Sequence, residues 1–402
     1  MHKFRTVILG GGYAGMMAAA RLRHQKQVEV TLVDHQEHFE QRIRLHQVLA
    51  GQAVPRLPLA TALSRQGIHF VQGRIEKIDP ISKSVKMANS KDLPYDFLIY
   101  ALGSQADTQG VPGLKDHCHF LTNQDQTQTL ATELETLVNG KGASSTLIAL
   151  IGGGLSNIEI ATELAERFPG IQIEVFARGN LESTYSQLGS QYLRQRFDEL
   201  NIRWHENQDV VRVDAKQLTL ASGQRHGFDW CLAATGFKAN GVALNSEFPV
   251  NDRGQILVKG DGSLAKFDTI FVAGDAAAYP SSHLRMGCVS AMPMGAHAAA
   301  NVLARSRGKP TKSHQFGFMM RCISLGRKKG LIQFVDTIDQ VKEKIWTDRK
   351  GGLTKELICK MTYYLPQWEL KSGLPFYWWP KTPIKESVPP QAFKSNQKES
   401  AS

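Results

Sequence analysis

The sequence predicts an α/β protein built from two similar strand–turn–helix units, one inserted in the other, followed by an appendage of different composition. Three observations predict it. Val7-Ile8-Leu9-Gly10-Gly11-Gly12-Tyr13-Ala14-Gly15 and Ala149-Leu150-Ile151-Gly152-Gly153-Gly154-Leu155-Ser156-Asn157 repeat one design about 140 residues apart. Each copy runs on into an amphipathic stretch of helical length and then a second apolar strand. From about residue 311 this pattern stops, and basic and aromatic residues accumulate.

In the first unit an apolar strand enters a turn too tight for side chains. The helix that follows, expected from about Ala14 to Gln25, presents free N–H groups and a positive dipole end suited to a pyrophosphate. Gly10 permits the turn, Gly12 lets the backbone approach phosphate, and Gly15 lets the helix pack closely on its strand. The next strand, Val28 to Val33, ends in Asp34, 24 residues beyond Gly10, where a carboxylate can accept hydrogen bonds from both ribose hydroxyls. This reads as an ADP-binding unit.

The second unit departs at two places. Asn157 stands where the third glycine is expected, so the helix from about Ile158 to Phe168 should ride farther from its strand and the site should be looser. At the end of the strand Ile171 to Phe176 the position matching Asp34 is Ala177, followed by Arg178. Without a carboxylate to repel a 2′-phosphate, and with a guanidinium able to pair with it, NADPH is favoured over NADH. The alternative is an exposed loop arginine. In the helix, Glu163 and Glu166 are expected to be solvated.

Two strand-to-glycine crossings should close the units: Asp96 to Ser104, with Ala101 and Gly103, and Asp229 to Gly236. A third strand, Thr269 to Ala273, ends in Gly274-Asp275, where the aspartate can hydrogen-bond a ribityl hydroxyl and the glycine leaves room for the chain. The fold class is therefore two Rossmann-like dinucleotide-binding domains plus a C-terminal α/β appendage. The length of 402 residues, 42% apolar with 35 glycines, suits it. Five cysteines without C-x-x-C spacing argue against a disulfide framework and a zinc site, and no metal is expected. No run of 18 apolar residues occurs, so a cytoplasmic protein, or one on the cytoplasmic membrane face, is expected.

In the order glycine turn, acidic strand end, Ala-Leu-Gly-Ser, second glycine turn, Ala-Thr-Gly and Ala-Gly-Asp, residues 4 to 305 resemble the pyridine nucleotide-disulfide oxidoreductase superfamily, and within it type II NADH dehydrogenases. The resemblance implies FAD in residues 1–115 with 265–310, with Gly10, Gly12, Gly15, Asp34 and Asp275 as ligands; Tyr13, Ala14, Arg42, Ala101, Gly103 and Gly274 are further candidates for contact with it. It implies NAD(P)H in residues 116–264, near Gly152, Gly154, Arg178 and Gly236. Glu159 matches a glutamate facing nicotinamide and flavin, where it would orient the carboxamide or relay a proton; the alternative is a helix-capping charge. The family's redox cysteine is absent from Phe39 to Gly51, so electrons should pass directly to a diffusible acceptor, a quinone in the nearest family. Arg42 and Arg44 approach the cofactor or are merely surface, His46 lines the pocket or fills core, and Cys288 is read as a small buried hydrophobe.

A helix is expected to start at Met292-Pro293, its positive end favouring charge on a reduced flavin. Type II dehydrogenases place glutamines here to meet the quinone; this chain has Pro293 and Met294. Residues 311–402 hold 16 Lys and Arg against 8 Asp and Glu, a surplus of +8 within the chain's +11. Leu353, Leu357, Ile358, Met361 and Leu365 recur at helical spacing beside Lys355 and Lys360, with Tyr363, Tyr364, Trp368, Phe376, Tyr377, Trp378, Trp379 and Lys381 interleaved or following. Residues 311–384 thus suit a peripheral membrane anchor in an anionic leaflet; a homodimer interface or a lid over the flavin is the alternative. Nucleic acid is not an expected partner, and a disordered tail is expected from 385 to 402. The function expected is transfer of hydride from nicotinamide to flavin and of two electrons to a quinone or similar acceptor. A tailoring flavoenzyme acting on a dedicated metabolite, and a flavin redox sensor without turnover, are the alternatives.

Overall fold

The computed structural model describes residues 3–280 and 284–382. Two parallel sheets dominate it. The first runs in spatial order Ile270–Val272, Phe97–Tyr100, Phe4–Leu9, Val28–Asp34, His69–Gln72. Its strand Ile270–Val272 arrives from beyond the second sheet, whose order is Ile202–His205, Gln172–Phe176, Leu147–Ile151, Trp230–Ala233. The chain therefore leaves one sheet, builds the other, and returns. Strands buried on both faces need apolar residues throughout, and Val7, Ile8, Leu9, Ile148, Leu150 and Ile151 are buried.

The expected elements form with small shifts: helices Tyr13–Leu22 and Leu155–Arg167, and strand Gln172–Phe176. Each parallel sheet also carries a three-stranded antiparallel meander in one of its crossovers, Ile75–Pro94 between His69–Gln72 and Phe97–Tyr100, and Val210–Gly227 between Ile202–His205 and Trp230–Ala233. The appendage is a three-stranded antiparallel sheet, Met320–Trp346, and a long helix, Asp348–Ser372. The tail expected to be disordered lies outside the described residues.

One expected helix is longer. It spans Cys288–Ser306, with Pro293 inside it instead of at its start. A proline six residues in forfeits its own N–H bond and crowds the Val289 carbonyl one turn back, and the buried run from Ser290 to Ala296 supplies the packing that keeps the turn helical. This helix crosses Tyr13–Leu22 closely. A Cβ on Gly295 would lie 2.0 Å from the Ala14 carbonyl oxygen, so only glycine permits the crossing.

Candidate active site

Both glycine turns open onto one cleft of about 1770 Å³. At the first, Gly10 has φ +101°, and a Cβ on it would sit 2.3 Å from the Ala101 carbonyl oxygen. Gly12 has open space before it and begins a helix without a side-chain cap, leaving N–H groups for an anion. Asp34 accepts from Gly11 N (2.6 Å) and Gln36 N (2.8 Å), which aims its carboxylate along the turn. These features fit the ADP half of a dinucleotide.

Asp275 ties three segments together. It accepts from Ser104 Oγ (2.6 Å) and from Gly287 N (2.7 Å) at the start of the helix Cys288–Ser306. Arg42 donates to the Ser104 carbonyl (2.8 Å) and lies over the Phe237 ring. Gly10, Gly12, Tyr13, Ala14, Asp34, Arg42, Ala101, Gly103, Gly152, Gly154, Glu159, Arg178, Gly236, Gly274 and Asp275 all line the cleft. Gly15 does not: a Cβ there would meet the Gly10 carbonyl at 1.8 Å, so its part is helix–strand packing.

At the second turn Gly152 and Gly154 repeat this geometry, and Asn157 replaces the third glycine without leaving a void. Its Nδ2 donates to the carbonyls of Ile151 (2.9 Å) and Gly152 (2.7 Å), so the buried amide bridges strand and helix. The two bonds pin the turn to the strand end, while Asn157 Oδ1 is buried without a partner. Arg178 is exposed and engaged by Asp209 (3.0 Å) and Gln109 (2.6 Å) at the rim.

The floor between the turns holds a charged cluster. Glu159 is buried, with Lys355 Nζ at 2.8 Å, Ser324 N donating at 3.0 Å and His46 Nδ1 at 3.4 Å. Burial pushes its carboxyl up, but Lys355, His46 and the Ser324 N–H outweigh that and hold it below the ordinary 4.5. Burial lowers His46 to about 4, so it is neutral at pH 7; Nδ1–H faces Glu159 while Nε2 accepts from Ser324 Oγ (3.1 Å). The arrangement keeps an ionised carboxylate, an ammonium and a neutral imidazole within reach of the cleft.

Three side chains depart from expectation. Lys355 points inward to Glu159 instead of facing a leaflet. Glu163 is 1% exposed, not solvated; it accepts from Gln52 (2.7 Å) and Arg327 (3.3 Å), and burial pushes it up to about 7. Glu166 pairs with Arg196 and accepts from Arg327 N (2.7 Å). Lys355 and Arg327 reach these carboxylates from the C-terminal helix and sheet, Gln52 from the first unit and Arg196 from the helix Gln187–Glu199 of the second. Sequence spacing carries no signal for a partner nearly two hundred residues away.

Arg44 is buried in an ion pair with Glu356 (2.9 Å), and His46 belongs to the Glu159 cluster. Cys288 is only partly buried and lines the cleft with Cys322 and Cys359. Met294 is buried, and its sulfur accepts from Gly274 N (3.2 Å), a support under the Gly-Asp turn.

The family model for pyridine nucleotide-disulphide oxidoreductases matches residues 4–301. Type II NADH:quinone oxidoreductase of Staphylococcus aureus (strain MSSA476) is 25% identical over 391 residues, covering 88% of this chain and 94% of that protein. Among solved structures, the sulfide:quinone oxidoreductase of Aquifex aeolicus superposes with a TM-score of 0.78 at 18% identity, over 92% of each chain. NDH2 of Plasmodium falciparum in complex with NADH superposes at 0.76 and 15% identity, over 94% of this chain and 99% of that one.

Proposed function

The chain belongs to the pyridine nucleotide-disulphide oxidoreductase family, and from that premise we propose that it is an FAD-dependent NAD(P)H dehydrogenase with a quinone or similar small acceptor. NAD(P)H, a proton and a quinone give NAD(P)⁺ and a quinol. The observation that carries the reading is the single cleft lined by both glycine turns, which lets two dinucleotides meet. Bound FAD would supply the two-electron chemistry, held by the first glycine turn, Asp34, Ala101, Gly103, Gly274 and Asp275. The second turn, with Gly236, would hold the nicotinamide cofactor. Domain limits of 1–115 with 265–310, 116–264 and 311–384 follow this division.

Glu159 would orient the carboxamide or hold the proton the acceptor needs, with Lys355 and Ser324 keeping it ionised. Ala177-Arg178 supports NADPH. A water-forming oxidase that superposes at a TM-score of 0.67 was engineered to take NADPH by changes that include aspartate to alanine and alanine to arginine at consecutive positions. Attachment to an anionic membrane surface is supported by the exposed stripe Leu353, Leu357, Met361, Tyr364 and Trp368. Among the described residues no helix is long and apolar enough to cross a membrane.

The second reading is a tailoring enzyme for a dedicated metabolite, favoured by Pro293 and Met294 where quinone-reading glutamines stand in the nearest family. Anaerobic rapid mixing with NADH and NADPH, followed by a soluble quinone, tests the proposal. Loss of the oxidised-flavin absorbance, restored by quinone, is expected, with NADPH the faster donor. No loss with either nucleotide would refute it.

A further inference from the structure

We infer that Arg285 reads an anionic oxygen on the electron acceptor, which makes the acceptor class a planar aromatic or quinonoid ring bearing a carboxylate, sulfonate or ionised hydroxyl. The inference rests on the oxidoreductase reading above and names its substrate class. Arg285 lies two residues before Gly287, whose N–H is held by Asp275, and lines the cleft beside Met286, Met319 and Cys322. It is 32% exposed, and its guanidinium lies over the Phe318 ring at 4.5 Å.

Charge is unbalanced at this wall. Among the described residues one carboxylate, Asp339, faces both guanidiniums, Arg285 Nε at 2.6 Å and Arg321 Nη2 at 3.1 Å. Arg321 spends its donors on Asp339 and on the Thr184 carbonyl. Arg285 Nε and Nη2 are shielded from water and without a hydrogen bond, and the exposed third of the side chain is the part open to a ligand in the cleft. Burial lowers its pKa, the sign of a cation that lacks full compensation. Lys355 and Arg178 of the same cleft are each paired with a carboxylate, Glu159 and Asp209, whereas Arg285 shares Asp339 with Arg321. A surplus cation in an apolar wall is most readily offset by an anion on the ligand.

The test compares 1,4-naphthoquinone-2-sulfonate with uncharged 1,4-naphthoquinone as acceptors, in the wild-type holoenzyme and in Arg285→Gln and Arg285→Lys. The ratio of kcat/KM for sulfonate over parent should fall about tenfold in Arg285→Gln, recover partly in Arg285→Lys, and leave KM for NAD(P)H unchanged. An unchanged ratio overturns the inference, as does a rise in KM for NAD(P)H in its place, which would assign Arg285 to the nucleotide phosphates. If Arg285→Gln fails to hold flavin, the wild type decides. Naphthalene-2-sulfonate should compete with the acceptor more tightly than 2-naphthol, and the reverse order overturns the inference. Turnover of both quinones without a sulfonate effect leaves the dehydrogenase reading standing, whereas absence of any turnover removes that reading itself.

Discussion

Replacing Glu159 by glutamine strands an ammonium. Lys355 Nζ lies 2.8 Å from Glu159 Oε1, and the two side chains are 12% and 9% exposed, so solvent screens the pair little. Removing one partner of such a pair costs about 3–5 kcal/mol, because the remaining charge is left desolvated. Lys355→Met should cost a similar order, softened by the Ser324 N–H and His46 that still face the carboxylate. The double variant Glu159→Gln with Lys355→Met removes both charges and should be closer to wild type than the sum of the two. The expected coupling is about 3 kcal/mol, against less than about 0.5 kcal/mol for independent sites. At roughly 2 °C per kcal/mol each single variant should lose about 6–10 °C in Tm, measured on holoprotein at fixed flavin and protein concentration. Steady-state turnover should fall in Glu159→Gln with flavin content intact. An additive cycle, or single variants as stable as wild type, would refute the picture of a buried pair holding the cleft floor.

Glu163, pushed up to about 7 from an ordinary 4.5, is protonated in the folded protein at pH 5 and ionised at pH 8. A raised carboxyl contributes stability that is lost as pH rises through about 7, so Glu163→Gln should gain about 3 kcal/mol relative to wild type between pH 5 and pH 8, read by paired melts. The opposite limb belongs to His46 and His297, lowered to about 4, and His314, lowered to about 3, whose contributions are lost as pH falls below 6.5; His314→Phe should flatten that acid limb. Asn157→Gly removes two hydrogen bonds and adds a helical glycine. Differential scanning should show a loss of about 2 kcal/mol, and a gain in stability would contradict the bridging role. Asp275→Ala frees Ser104 Oγ and Gly287 N and is expected to yield protein without flavin, whereas a full flavin spectrum would remove Asp275 from the site.

The two glycine turns, Asp34, the Gly-Asp strand end and the insertion of one sheet into the other were all legible in the chain. The reason is local: a dihedral of +101° at Gly10, or an apolar strand feeding a turn, is dictated by residues within a few positions. Glu159 was visible only through its place after the second turn. What surrounds it was not, because Lys355, Ser324 and His46 reach it from three separate elements, and burial turns an ordinary lysine of an amphipathic stripe into a buried counter-ion. The same packing buried Glu163 and set two guanidiniums against one carboxylate at Asp339. The sequence by itself determined the dinucleotide frame, since backbone sterics and strand periodicity act over short range. Only the tertiary structure decided the electrostatics of the cleft, since desolvation and charge pairing depend on which distant segments close over it.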